Sequence, residues 1–245
     1  MTDNIHYNAA DLDRLILFAD NHLLAVNKPA GLLTQDSGTG LHNLEDWARE
    51  WVRVDKEKPG AVFLNAVHRI DRAVSGIVLF ARTSKALARL NEDVRKRACR
   101  KIYHAMVEGI PTASSGELVH WLSHDNHRAM ICREVDSGAQ KAVLRYRVCR
   151  QDRRSCSVAG IDDPGYNKNL TLLEIDLETG RYHQIRAQLS AIGCPIAGDE
   201  RYGAKQKGVD GSIALHHRRL EITHPTLKQA QVIEAPYPKP SNWWS

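Results

Sequence analysis

The sequence predicts an α+β protein built on a large, mostly antiparallel mixed β-sheet with flanking helices and loops. Three observations carry that reading. Short apolar runs of strand length outnumber helical stretches. The two kinds of segment do not alternate regularly, as parallel βαβ units require. The 245 residues, 42% hydrophobic and 26% charged, supply an ordinary globular core. We read residues 1–245 as a single domain with its motif-bearing core at 15–235, since no repeat, low-complexity tract or linker interrupts it.

The elements follow in order. Leu15 to Asn27 holds two strand-like runs, LILFAD and LLAVN, around a turn at Asp20–Asn21. Lys28-Pro29-Ala30-Gly31 breaks the pattern, because proline fixes φ and glycine permits a tight turn. Leu44, Trp47, Trp51 and Val54 lie at helical spacing, and Lys56 to Gly60 reads as a polar loop. Gly76 to Ala81 is a continuous apolar run, which suits a strand covered on both faces. Ser84 is expected to cap the next helix, whose apolar stripe is Leu87, Leu90 and Val94; basic residues crowd its end, where the helix dipole favours them. Lys101 to Gly109 (KIYHAMVEG) reads as a strand, as do Glu117–Ser123, Arg128–Arg133, Ala142–Cys149 and Leu170–Leu177. Asp152 to Asn169 is polar and bears Gly and Pro, hence a surface loop. After a turn at Thr179-Gly180-Arg181, His183 to Ile192 has Ile185, Leu189 and Ile192 at the spacing of a short amphipathic helix, ended by Gly193 and Pro195. The tail, Ala235 to Ser245, is rich in Pro and Trp and is expected to pack loosely.

Composition narrows the function. Met1 to Arg14 is polar and acidic, unlike a signal peptide, and no apolar run is long enough to span a bilayer. The cysteines at 99, 132, 149, 156 and 194 show no CxxC pair, so neither a zinc ribbon nor a disulfide framework is indicated. A cytoplasmic, monomeric protein with reduced thiols is expected. His120, His124 and His127 have metal-like spacing only if helical; the segment reads as strand and loop, so no metal is expected. The net charge of +5 permits a nucleic-acid partner without demanding one. The runs Arg95, Lys96, Arg97, Arg100, Lys101 and His217, Arg218, Arg219 are, taken alone, solvated faces.

Three segments set polar residues beside strongly structured ones. His68-Arg69-Ile70-Asp71-Arg72 precedes the apolar strand, and an acid between two arginines should stay ionised. By spacing alone, a structural ion pair explains it as well or better. Tyr103 falls in a strand after the basic run, where a tyrosine is usually core with a satisfied hydroxyl. In Gly180-Arg181-Tyr182-His183-Gln184-Ile185-Arg186, the last arginine sits beside an apolar stripe and needs a carboxylate partner.

With those residues in view, the chain resembles the RluA family of RNA pseudouridine synthases. VNKPAGLLT at Val26–Thr34, HRIDRAVSGIVLFARTSKA from His68, KIYHAMVEG, LETGRYHQIRAQLSAIGCPIAGDERYG at Leu177–Gly203 and LHHRRLEITHP at Leu215–Pro225 match its blocks, in its order. The resemblance implies the pseudouridine synthase fold with a central active-site cleft, as a stand-alone catalytic domain without an S4-type RNA-binding domain. Asp71 matches the essential aspartate, Tyr103 the tyrosine that lies against the base and takes part in removing its C5 proton, and Arg186 the arginine that salt-bridges the aspartate. Arg69 matches the residue that replaces the extruded base, and Ile185 a wall of the pocket. Lys28, His68, Arg72, Arg181 and His183, in the same blocks, are expected to contact substrate or RNA. Gly198, Asp199, Tyr202 and Gly203 match a block read as scaffold.

The chemistry is consistent with that. Converting uridine to pseudouridine breaks a C–N bond and forms a C–C bond, with no redox change or phosphate transfer. It needs a held carboxylate, a base for the C5 proton and an apolar slot. Neither cofactor nor metal is implied. The expected partner is structured RNA, tRNA or rRNA, with the nucleotide flipped from its stack and the basic runs on the phosphates. The sequence departs from the family at Tyr182, usually small and hydroxylated, at Ala187-Gln188, at Cys194 and at His217, where alanine is frequent. These departures bear on target choice rather than chemistry. Two rival classes are a non-catalytic RNA-binding module and an Asp-dependent nucleoside hydrolase. The first is disfavoured because Asp71, Tyr103 and Arg186 are all present, the second because the matching blocks hold no paired acids.

Overall fold

The structure, a computed structural model, describes residues 12–38, 40–55, 61–125, 127–152, 170–208, 211–239 and 244. The loop expected at Lys56–Gly60, most of the one expected at Asp152–Asn169, and Cys156 and Trp243 lie outside the described residues. Among those described are the strands β1 (Ile16–Ala19), β2 (Leu23–Lys28), β3 (Asn65–Ala66), β4 (Ser75–Ala81), β5 (Arg100–Glu108), β6 (Ser115–His124), β7 (Ala129–Cys132), β8 (Gln140–Asp152), β9 (Leu170–Leu177), β10 (Leu215–Thr223) and β11 (Ala230–Glu234), and the helices α1 (Leu44–Asp55), α2 (Ser84–Arg95) and α3 (Gln184–Ala191). The α+β, mostly antiparallel expectation holds. No described helix is long and apolar enough to cross a membrane.

The chain forms two compact units, Met1–Cys99 with Arg218–Pro236 and Arg100–His217 with Tyr237–Ser245. In the first, β2 pairs antiparallel with β1 and with β4, running from Leu23 opposite Ala81 to Lys28 opposite Gly76. Strand β3 pairs with β4, and β11 with β10, both antiparallel. Every residue of β4 is buried, as its unbroken apolar run requires. Its alternate side chains Ile77, Leu79 and Ala81 join Leu23, Ala25, Ala86, Leu90, Leu220, Ile222 and Ile233 in one core. Helix α2 is capped by Thr83, whose Oγ1 accepts the Ala86 N–H at 3.1 Å, so Ser84 is the first helical residue rather than the cap. Both can cap; Thr83 is the one whose extended backbone lets its hydroxyl reach forward.

In the second unit the strands run β5-β9-β8-β6-β7, each pairing antiparallel. Helix α3 is not amphipathic. Gln184 to Leu189 are all buried, because its polar side chains are hydrogen-bonded inside rather than turned to water. Ala187 packs with Leu122, Ala129, Ala142 and Tyr202. The tail is better held than its composition suggests: the Tyr237 hydroxyl lies 2.6 Å from His104 Nδ1, and the Trp244 ring stacks on Tyr237 at 4.8 Å.

Candidate active-site residues

In the first unit, two of the motif blocks close on Asp71. Strand β2 ends at Lys28, and the turn that follows passes through Gly31 at φ 89°, a left-handed value that favours glycine. The Gly31 N–H donates to the Arg72 carbonyl at 2.7 Å, and Arg72 Nε donates back to the Gly31 carbonyl at 2.8 Å. Three residues after Gly31, Thr34 Oγ1 donates to the carbonyl of Ile70, two residues before Arg72, at 2.9 Å. The Asp71 carbonyl accepts the Val74 N–H at 3.0 Å. Both neighbours of Asp71 are therefore tied to the 31–34 turn, and its own peptide is tied forward. The half-buried carboxylate is presented by a fixed backbone. Arg69 and Arg72 are exposed on either side. His68 is half-buried, and its Nε2 accepts the Leu79 N–H at 3.3 Å, which makes that nitrogen the unprotonated one.

Sequence reading puts Lys28 among the RNA contacts; the structure seats it inside. It is fully buried, and its Nζ faces the carbonyls of Pro29 at 2.9 Å, Leu32 at 2.8 Å and Arg72 at 3.3 Å. Three acceptors match the three N–H bonds of an ammonium. Lys28 thus braces both the 29–32 turn and the segment carrying Asp71. Burial pushes its pKa from 10.5 down to about 7; the Asp71 carboxylate works against that fall and the Arg72 charge adds to it. The unfolded chain protonates Lys28 near 10.5 and the folded chain only near 7, so between those values the unfolded state binds more protons. The lysine's contribution to stability then rises with pH across that window. Urea melts of wild type and Lys28→Met, compared from pH 7 to 10, should show wild type gaining on the variant. A constant difference would contradict the burial.

In the second unit, α3 starts from His183, held in the left-handed region at φ 48°, ψ 26°. The Gln184 side chain closes the helix start: its Oε1 accepts the Thr179 hydroxyl at 2.8 Å and the Arg181 N–H at 3.0 Å, and its Nε2 donates to the Gln188 Oε1 at 2.9 Å. Arg186, one turn in from His183, makes a two-pronged ion pair with Asp199, Nε to Oδ2 at 2.7 Å and Nη2 to Oδ1 at 2.8 Å. The two side chains are 8% and 1% exposed. Arg186 Nη1 lies 2.8 Å from His183 Nε2. An arginine only donates, so that histidine nitrogen accepts, which leaves the ring proton on Nδ1, aimed at the Tyr202 hydroxyl 3.0 Å away. That hydroxyl also accepts the Ala129 N–H at 2.8 Å, and the guanidinium stands 4.9 Å from the centre of the Tyr202 ring.

His183, expected to contact RNA, is thus a buried link between Arg186 and Tyr202. Arg181 is exposed, with Nε on the Lys141 carbonyl at 3.1 Å, and Ile185 is buried beside Arg186. Tyr103, on β5, is buried with its ring stacked on His217. The basic run is partly neutralised: Arg95 and Lys96 pair with Glu92, and Arg100 with Asp176. Asp199 as the partner of Arg186, and Gln184 as the helix lock, escaped the sequence reading. The only signal for Asp199 was a carboxylate within a block read as scaffold.

Comparison with known proteins decides the family. The family described as RNA pseudouridylate synthase matches residues 22–191, more than half of the chain. The chain belongs to the RNA pseudouridylate synthase family. Within it, the RluA-type resemblance holds, and the enzymes so named are isomerases. The chain is 32% identical over 226 residues to the RNA pseudouridine synthase YhcT of Bacillus subtilis, covering 91% of this chain and 68% of that protein. It is 32% identical over 234 residues to the ribosomal large subunit pseudouridine synthase C of Vibrio cholerae, covering 93% and 67%. It is 31% identical over 215 residues to the dual-specificity RNA pseudouridine synthase RluA of Vibrio parahaemolyticus, covering 86% and 78%. Human RNA pseudouridylate synthase domain containing 4 shares the fold of this pseudouridine synthase, with a TM-score of 0.73, 24% identity and coverage of 94% of this chain and 91% of that one.

Proposed function

We propose that this synthase isomerises one or a few uridines of tRNA or ribosomal RNA through Asp71, without a cofactor, on a nucleotide flipped from its stack. The observation that carries the reading is the clamp around Asp71, whose hydrogen bonds on both sides fix the backbone that presents its carboxylate. A nucleophile or charge stabiliser works best when its backbone is already in place. Asp71 attacks the target nucleotide, the C1′–N1 bond breaks, and the uracil turns and rejoins C1′ through C5, with the bond to Asp71 broken so that its carboxylate is released. Tyr103 lies against the base and takes part in removing the C5 proton, and N1 ends protonated. Arg186 supplies the fixed positive charge of the chemistry and Ile185 an apolar wall. His68, Arg72 and Arg181 serve the RNA backbone, with Lys28 and His183 holding the elements that carry the chemistry. The relatives named for the large ribosomal subunit favour a ribosomal target.

Arg69, exposed beside Asp71, fills the gap left by the extruded nucleotide. Unstacking a base costs a few kcal/mol in folded RNA and far less in an unstructured strand. Arg69→Ala should therefore lose roughly tenfold more turnover on the folded substrate than on an unstructured one; equal losses would remove it from that role. Pseudouridine mapping of total RNA from cells lacking the gene tests the function itself. Specific sites should vanish and return on complementation, and an unchanged map would overturn the proposal.

A further inference from the structure

Tyr103 is a buried tyrosine whose ring has an aromatic neighbour. It is stacked on the imidazole of His217, with ring centroids 4.4 Å apart and planes 11° from parallel. Tyr103 comes from β5 and His217 from β10. His217 is completely buried.

From this we infer that His217 is a positioning residue for Tyr103. The inference rests on the reading that Tyr103 serves the base. A flat ring in face contact on one side cannot tilt toward that side without losing the contact, so the imidazole sets the plane of the phenol. A uracil lying against Tyr103 has only the opposite face to use. With alanine at this position, the space behind the phenol would hold no ring. The backbone at Tyr103 is already fixed by its antiparallel register opposite Ile175 on β9, so ring tilt is the freedom left to restrain. Close-packed interiors convert the loss of such a neighbour into displacement or a void.

The expected effect falls on the chemical step more than on RNA binding. A displacement of about 1 Å at a reacting group can cost up to roughly 100-fold. Tritium release from RNA carrying 5-tritiated uridine, measured with the full chain well below its melting temperature, separates kcat from KM. His217→Ala should lower kcat by roughly 10- to 100-fold and leave KM within about twofold. His217→Phe, which keeps a flat ring behind the phenol, should recover most of the lost kcat. A His217→Ala protein with wild-type kcat would overturn the inference. So would a folded His217→Phe protein no better than His217→Ala, because the ring face would then not be what matters. A loss confined to KM would also overturn it. If wild type releases no tritium, the reaction itself is misassigned; if wild type is active and His217→Ala equally so, only this inference fails.

Discussion

Asp71→Asn is expected to lower turnover by about 10³-fold or more, while RNA binding stays within a fewfold of wild type. Asparagine is nearly isosteric with aspartate but can neither act as an anionic nucleophile nor carry the charge that stabilises an electron-poor sugar or base. The fold should survive the change. Hydrogen bonds that hold the segment run through the Gly31, Ile70 and Arg72 backbone, the Thr34 hydroxyl and the Arg72 guanidinium, and all of these remain in the variant. A filter-binding titration beside a tritium-release assay checks both halves. Turnover within tenfold of wild type would take Asp71 out of the chemistry. Loss of binding together with turnover would mean that the carboxylate mainly shapes the loop.

The second large effect is expected at Arg186. Its guanidinium pairs with Asp199, and the two side chains are 8% and 1% exposed. Removing one partner of a buried pair leaves an uncompensated charge, which costs about 3–5 kcal/mol. For a chain of this size, that corresponds to a melting point lower by roughly 6–20 °C. Arg186→Ala should therefore lose stability and activity together, and His183 would lose the donor that fixes its tautomer. Two further variants separate the causes. Arg186→Ala with Asp199→Ala should regain part of the stability, because the stranded carboxylate is gone, yet stay inactive. Arg186→Lys keeps a charge but not the planar fork that grips both oxygens, so it should recover stability only partly. A melting point for Arg186→Ala within about 1 °C of wild type would contradict the buried pair.

Much of the fold was legible because the local signals agreed. The runs flanking Asp20, the apolar stretch at Ser75–Ala81 and the segment Leu170–Leu177 are strands where length and β-branched content place them. The helix at Leu44–Asp55 follows its apolar spacing. Strands β3, β10 and β11 were missed for physical reasons: two residues carry no period, the His216-His217-Arg218-Arg219 cluster interrupts the apolar pattern of β10, and AQVIE is mostly exposed, so its pairing with β10 rather than its own pattern makes it a strand. Helix α3 was found, but its face was misjudged. Hydrophobic periodicity cannot show that Gln184 donates to Gln188, that both donate to strand carbonyls, or that Arg186 pairs with Asp199.

The site was legible unevenly. Asp71 and Arg186 stood out as charges beside apolar runs. Lys28 could not be placed from sequence: a lysine before a proline reads as surface, and only the return of the chain through Leu32 and Arg72 buries it. Asp199 was hidden because its partner lies 13 residues away across a turn, outside any helical or strand period. His217 looked like part of a basic run, and its stacking on Tyr103 follows from the strand arrangement.

The most direct measurement is tritium release by the wild-type protein from cellular RNA pools labelled at uridine C5, with no metal or cofactor added. Moving the glycosidic bond from N1 to C5 must expel the C5 hydrogen, so release should track pseudouridine formed one for one. Absence of release from both tRNA and ribosomal RNA, with folded protein that binds them, would contradict the assignment of this chain as a catalyst of that isomerisation.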